Sequence, residues 1–260
     1  MFTRVLFTEV MKLRRSRITW ISLLAYSVGP AAGGLFMWIA LEPRRAADLG
    51  LLGTKADLAG LTATWPGYFG LLTQTTGIAG MLLVSVITAY VFGREYADKT
   101  ARVMLVQPVP RYWFVIAKLV VVLGWMAAGT GLMIAEAALV GVALGLPGLT
   151  PSIAANGVAD LLLAAGIAFL LASPVAWLSA LGRGYLLPLG FAIVMLVIGN
   201  ILGATAWGRW FPWSIVPLFA GVAGPRAETL AAGSMAVVVC TAAAGMAATI
   251  AQLTWADQRQ

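Results

Sequence analysis

Six apolar stretches of about twenty residues or more follow one another along this 260-residue chain, and they constrain its fold more than any motif does. They lie at 18–41, 68–92, 112–146, 153–181, 185–204 and 229–253. A run of about 20 apolar residues in helical form crosses the roughly 30 Å of hydrocarbon in a bilayer. Lipid offers no partner to backbone N–H and C=O groups, so each run must be a helix that pairs its own backbone. The composition agrees: 61% of the residues are hydrophobic and only 10% charged, against about 25% charged in soluble domains. The expected fold is therefore an all-α membrane protein with six transmembrane helices. With no internal repeat and no polar linker, residues 1–260 read as a single transmembrane domain.

The net charge is +7, yet the basic residues sit beside the apolar runs and form no continuous stripe, which excludes nucleic acid as the partner. They act as topology signals. With both termini cytoplasmic, twelve of the seventeen Lys and Arg residues fall on the cytoplasmic side, as the positive-inside rule requires. That places the chain in a membrane, in contact with lipid, with both ends on the cytoplasmic side; the membrane expected is a prokaryotic inner membrane. The first run, about 36 Å long as a helix, exceeds the h-region of a cleavable signal, which spans about 7–15 residues.

Enzymatic readings find little support. Histidine is absent and Cys240 is the single cysteine, so the usual metal ligands and imidazole bases are missing and no internal disulfide can form. No GxxxxGK[ST] phosphate loop occurs. A Ser–Lys dyad needs a lysine at depth, and Lys118 reads as an interfacial, snorkelling residue at the start of the third run. We expect no catalytic, cofactor or metal site, and energy from a separate ATPase or an ion gradient.

Residues 1–17 read as an amphipathic interfacial helix: Phe2, Val5, Leu6, Val10 and Leu13 share one face and Arg4, Thr8, Lys12 and Arg15 another, with Glu9 interrupting the apolar side. The connection at 42–66 holds several glycines and reads as a loop with a short surface helix. Residues 205–220 carry Trp207, Trp210, Phe211 and Trp213 with two prolines. That stretch is too short to cross and return, so it reads as an outer aromatic belt with re-entrant short helices.

The internal connection densest in charge follows the second run. Residues 94–106 suit a short helix in which Glu95 and Lys99 pair at i,i+4, and Gln107, Pro108, Val109 and Pro110 end it. It is either a docking element for a soluble partner or an ordinary solvated connection.

The order Glu95, Thr100, Pro108-Val109, Arg111 and Lys118, together with the N-terminal stretch from Glu9 to Arg17, resembles the signature of type-2 ABC transporter permeases, in the drug and bacteriocin-immunity branch. Lys99 stands where that signature has Gly, and Pro110 where it has Ser. The resemblance implies an elbow helix at 1–17, a cytoplasmic coupling helix at 94–106 between spans 2 and 3, and short re-entrant helices before span 6. It also implies two ABC ATPase subunits and a second permease subunit, either an identical chain or a close paralogue. By carry-over, Arg94, Glu95, Lys99, Thr100 and Arg102 would lie on or beside the ATPase-facing helix, and Arg111 would anchor its return. The function so implied is a permease subunit of an ATP-driven exporter for a hydrophobic or amphipathic cargo such as an antibiotic, peptide or lipid-like molecule.

Inside the runs the polar residues are few. Glu136 lies about 27 Å beyond Lys118 along a regular helix, and an acid at that depth is a functional candidate by default. Asp160 starts the fourth run at comparable depth and could share a cavity with it. Either the pair receives a cationic cargo, or Glu136 is bonded between helices and Asp160 is merely near water. Gln74, Thr75, Thr76, Ser85, Thr88 and Asn200 either line a path or join helices to one another. An alternative reading is an ion-coupled secondary transporter with Glu136 as its proton carrier.

Overall fold

The computed structural model describes residues 2–51, 62–100, 109–222 and 230–255. Helix α1 (Phe2–Arg14) leads into α2 (Arg17–Leu41) and the short α3 (Pro43–Asp48). Next come α4 (Trp65–Thr75), a π-helical turn (Thr76–Gly80) and α5 (Met81–Ala97) in one continuous rod, then α6 (Arg111–Ala143). After them stand α7 (Pro151–Leu171), α8 (Ser173–Leu181), α9 (Leu186–Gly203), the short α10 (Ile215–Ala220) and α11 (Ala232–Trp255). Among the described residues there is no strand. Six stretches are long and apolar enough to cross a bilayer: Arg17–Leu41, Trp65–Ala97, Arg111–Ala143, Pro151–Leu181, Leu186–Gly203 and Ala232–Trp255, here spans 1 to 6. The all-helical, six-span membrane fold expected from the hydropathy is the observed one.

Local chemistry sets where the spans begin. Ser16, Thr64 and Thr150 cap spans 1, 2 and 4, each side-chain oxygen accepting from a backbone N–H of the first turn. Span 2 runs past the expected 68–92 at both ends. Thr64 with Pro66 starts it early, and at the far end the charges of Arg94 and Glu95 are satisfied by neighbours, so the helix need not stop where the apolar run stops.

The hydroxyls of span 2 bond chiefly within their own helix, and Thr76 alone of them also reaches the Met133 sulfur of span 3, at 3.9 Å. Thr73, Thr75, Thr76, Ser85 and Thr88 each donate to the carbonyl four residues back in their own helix, and the Asn200 amide does the same towards Leu196 in span 5. This local pairing satisfies each group without a neighbour, and Gln74 is half-buried on the same rod. Span 4 breaks at Ala172 because Pro174 has no N–H for the Leu170 carbonyl; the Ser173 hydroxyl donates to that carbonyl instead. Span 6 seats on this break so closely that a Cβ on Gly245 would lie 2.6 Å from the Pro174 nitrogen.

The aromatic segment before span 6 comprises two 3-10 turns, Gly208–Trp210 and Pro212–Ser214, and then α10. Ile215, Val216 and Phe219 are buried against Met81, Ile167, Leu171 and Val238, so α10 inserts into the bundle beside the π-helical turn of span 2. Trp207 and Trp210 stay exposed. Trp213 turns inward, its ring edge-on to Phe191 at 5.4 Å and tilted against Phe211 at 5.7 Å.

Candidate functional site

At the end of the bundle that carries α1, the amphipathic pattern of residues 2–14 becomes a docking face. Val5 packs on Phe114 and Ala117 of span 3, and the Phe2 ring lies 4.7 Å from that of Trp113. One turn on from Val5 stands Glu9, and one turn on from Phe114 stands Lys118. The apolar contact therefore brings the two charges face to face. The Lys118 ammonium lies 3.2 Å from Glu9 and 2.7 Å from Glu95 at the end of span 2. Lys12 reaches the same two acids, at 2.5 Å and 3.1 Å.

Two acids and two bases thus alternate in a closed, neutral ring that joins α1, the end of span 2 and the start of span 3. Glu9, Glu95 and Lys118 are 4%, 4% and 2% exposed, so each has given up its water and depends on its partners. Lys118 also donates to the Val91 carbonyl at 2.6 Å, which gives all three ammonium hydrogens an acceptor. Lys118 is a buried keystone and not a residue snorkelling to the interface, and Glu9 is the reason that α1 has an acid on its apolar side.

Burial alone would push the Glu9 carboxyl up, but Lys118 and Lys12 outweigh it and hold the group below its ordinary 4.5. Burial alone would lower Lys12, and Glu95 with Glu9 hold it above its ordinary 10.5. A depressed acid contributes stability that is full above its ordinary value and lost as pH falls through the depressed one. A raised base contributes stability that is full below its ordinary value and lost as pH rises through the raised one. The melting temperature in detergent is accordingly expected to be level between these limits and to drop below pH 4.5 and above pH 10.5. Glu9→Gln flattens the acid limb; an acid limb of unchanged steepness in that variant contradicts the ring.

The ring stands at the root of the connection between spans 2 and 3. Residues 94–97 are the last turn of span 2 and not the start of a separate helix. Asp98 N–H donates to Arg94, Lys99 N–H to Tyr96 and Thr100 N–H to Glu95, the paired bonds that close a helix around a left-handed residue. That residue is Lys99, with φ 57°. The i,i+4 pair of Glu95 and Lys99 consequently does not form, because Lys99 has left the helix and Glu95 faces the ring. The glycine usual at this position in the permease signature has its physical explanation here: a Cβ is strained at positive φ. Lys99→Gly is expected to stabilise the fold by about 1 kcal/mol, read as a higher melting temperature; a lower one contradicts the left-handed cap.

The remaining expected residues of this end are distributed around the ring. The Arg94 guanidinium sits 5.7 Å above the Tyr90 ring, and Tyr90 accepts a hydrogen bond from Ser16 at 2.9 Å. Lys99 and Thr100 are exposed. Arg102 and the rest of 101–108 lie outside the described residues. Arg111 donates to the carbonyls of Leu253 and Thr254 at 2.5 Å and 3.0 Å, so it ties the return of the connection to the end of span 6 and satisfies acceptors that a helix C-terminus leaves open. Sequence reasoning missed Glu9, Lys12 and Lys118 as one site. The available signal was the coincidence of two misplaced charges, an acid on an apolar face and a lysine inside an apolar run.

Glu136 lies on span 3 and accepts a 2.7 Å hydrogen bond from the Ser27 hydroxyl of span 1 through Oε1. Its other oxygen, Oε2, is buried and has no hydrogen-bond partner among the described residues. The Tyr68 hydroxyl of span 2 donates to the Pro30 carbonyl at 2.9 Å and not to Glu136. Asp160 stands on span 4 with an interaction of its own. Ser27, and not Asp160, is the hydrogen-bond partner that Glu136 meets.

Comparison with known proteins gives two matches. Residues 5–199 match the profile of a family described as ABC-2 family transporter protein. The chain is 30% identical over 174 residues to the bacitracin transport permease protein BCRB of Bacillus licheniformis, an alignment that covers 66% of this chain and 83% of the relative.

Proposed function

Because the chain belongs to the ABC-2 transporter family, and is thus the membrane subunit of a transporter whose ATPase is a separate protein, we propose that it exports an amphipathic or hydrophobic cargo by alternating access. Two such permease subunits, identical or closely related, work with two ATPase subunits. Both termini and the connection between spans 2 and 3 face the cytoplasm of a bacterial inner membrane. Residues 94–106, with Arg94, Lys99, Thr100, Arg102 and Arg111 on or beside them and Glu95 rooted in the ring beneath, form the element that the ATPase moves. The aromatic segment 205–220 faces outward as a re-entrant pair.

The observation that carries this reading is the neutral ring of Glu9, Lys12, Glu95 and Lys118. A connection rooted in such a ring cannot tilt alone: it takes α1 and the start of span 3 with it, because withdrawing Glu95 from the ring parts it from both Lys12 and Lys118 and leaves its buried charge unpaired. An ordinary solvated connection needs no such root. The relative named above bears a name for bacitracin transport, and we carry over only the class, a peptide antibiotic or similar amphiphile. Gln74, Glu136, Asp160 and Asn200 are the polar side chains proposed to meet it.

The test is co-expression and co-purification of the chain with a candidate ABC ATPase from the same cell, followed by reconstitution into vesicles. Bacitracin-stimulated hydrolysis of ATP, and cargo movement that persists when an uncoupler collapses the proton gradient, are the expected results. Transport that stops with the uncoupler while ATP is abundant transfers the role to an ion gradient.

A further inference from the structure

The Glu136 carboxylate is half used. One oxygen is occupied by Ser27, and the other is buried without a donor; the hydroxyls of Tyr26 and Thr130 are themselves unpartnered and do not reach it, and those of span 2 are spent elsewhere. Tyr68 gives its own to Pro30, and Thr75 and Thr76 give theirs to carbonyls of span 2. An acid far along a membrane span that served only to join helices would be expected to have both oxygens paired, since the surroundings offer no water in exchange. Around it the outward surface of spans 1 and 3 is apolar: Val28, Leu132 and Leu139 are all exposed, and no basic residue lies on either span between Lys118 and Glu136 or between Arg17 and Glu136's partner Ser27. Among the described residues, no ion pair is made to this carboxylate.

We propose that Glu136 is a binding site for the primary ammonium group of an amphiphile whose apolar body lies along the exposed faces of spans 1 and 3. The ammonium donates to Oε2, and Ser27 holds Oε1 so that the carboxylate keeps its orientation. A charge-assisted hydrogen bond at a desolvated position is strong, while the tail contributes area but no discrimination. The site therefore selects cationic amphiphiles over neutral ones of the same length. The same chemistry is presented by a cationic drug or peptide and by an aminophospholipid of the membrane itself. This inference rests on the proposed transport role for its meaning but not for its measurement.

The experiment uses dodecylamine and dodecanol, which share a tail and differ in the head. The full chain is placed in phosphatidylcholine nanodiscs without any ATPase, and the infrared carboxylate bands are compared between wild type and Glu136→Gln, with and without each probe. Dodecylamine is expected to shift a carboxylate band that is absent from Glu136→Gln, and dodecanol to leave it unchanged. A parallel sample with phosphatidylethanolamine added separates the sources: a shift without dodecylamine assigns the site to the aminolipid, and no shift until dodecylamine is added assigns it to an exogenous amphiphile. In the reconstituted transporter, dodecylamine should stimulate hydrolysis at a concentration about tenfold or more below dodecanol, with the difference lost in Glu136→Gln and partly kept in Glu136→Asp. A carboxylate band indifferent to dodecylamine and to phosphatidylethanolamine, or an equal response to the two probes in wild type, overturns the site. Failure of hydrolysis with every probe while the infrared shift is present overturns the transport reading and leaves the site standing.

Discussion

Replacing Lys118 by Met is expected to destabilise the protein by about 3–5 kcal/mol, the cost of removing one partner from a buried ion pair, and to uncouple hydrolysis from transport. Met preserves most of the volume of the lysine stem, so the loss is electrostatic and not a cavity. Without the ammonium, the Glu9 and Glu95 carboxylates, 4% exposed each, face one another with only Lys12 between them, and the Val91 carbonyl loses its donor. Lys118→Arg should cost less, because the charge remains. Neutralising the acids as well, with Glu9→Gln and Glu95→Gln beside Lys118→Met, should recover most of the stability but not the coupling. Thermal unfolding in detergent checks the first effect and cargo moved per ATP the second. A Lys118→Met protein as stable as wild type means that the ring is not closed.

The second large effect is expected at the seam between spans 4 and 6. Gly245→Leu must move backbone, because even its first carbon would lie 2.6 Å from the Pro174 nitrogen and 2.7 Å from the Ser173 carbonyl carbon. No rotamer relieves a clash with main chain, so the cost falls at the upper end of the roughly 1–3 kcal/mol of overpacking or beyond it. Gly166, also in span 4, is the control: a Cβ there meets nothing within 4 Å. Gly166→Ala should therefore be neutral or gain up to about 1 kcal/mol from helix propensity. Equal melting temperatures for Gly245→Leu and Gly166→Ala would show that spans 4 and 6 do not close on each other as described.

The spans and the ring are unequally visible in the amino-acid sequence. Hydropathy exposes the spans because crossing lipid demands long apolar runs wherever they occur, and the structure moves their ends by only a few residues except at span 2. That exception shows the limit. Glu95 reads as the start of a solvated helix because local charge normally means water, whereas its partners Lys12 and Lys118 lie 83 and 23 residues away. A meeting of that kind is decided by packing, and only the odd placing of Glu9 and Lys118 hinted at it. The hydroxyls of span 2 stay open in the sequence for a related reason: spacing cannot distinguish a threonine that donates to its own helix from one, such as Thr76, that also reaches across. Glu136 was legible as an anomaly, but its partner Ser27, 109 residues distant, was not. The left-handed Lys99 is the reverse case, a departure from the family pattern seen in the sequence whose cost becomes clear only from the backbone.

The most direct measurement addresses whether the exposed turn at residues 98–100, above the ring, meets the ATPase. In a Cys240→Ala background, which removes the single native thiol, Asp98→Cys is treated in intact membranes with a short thiol-reactive cross-linker, with and without ATP and vanadate. A cross-link to the ATPase whose yield changes with nucleotide is expected, with no labelling by a membrane-impermeant maleimide from outside the cell. Labelling from outside, with no cross-link in any nucleotide state, would contradict it.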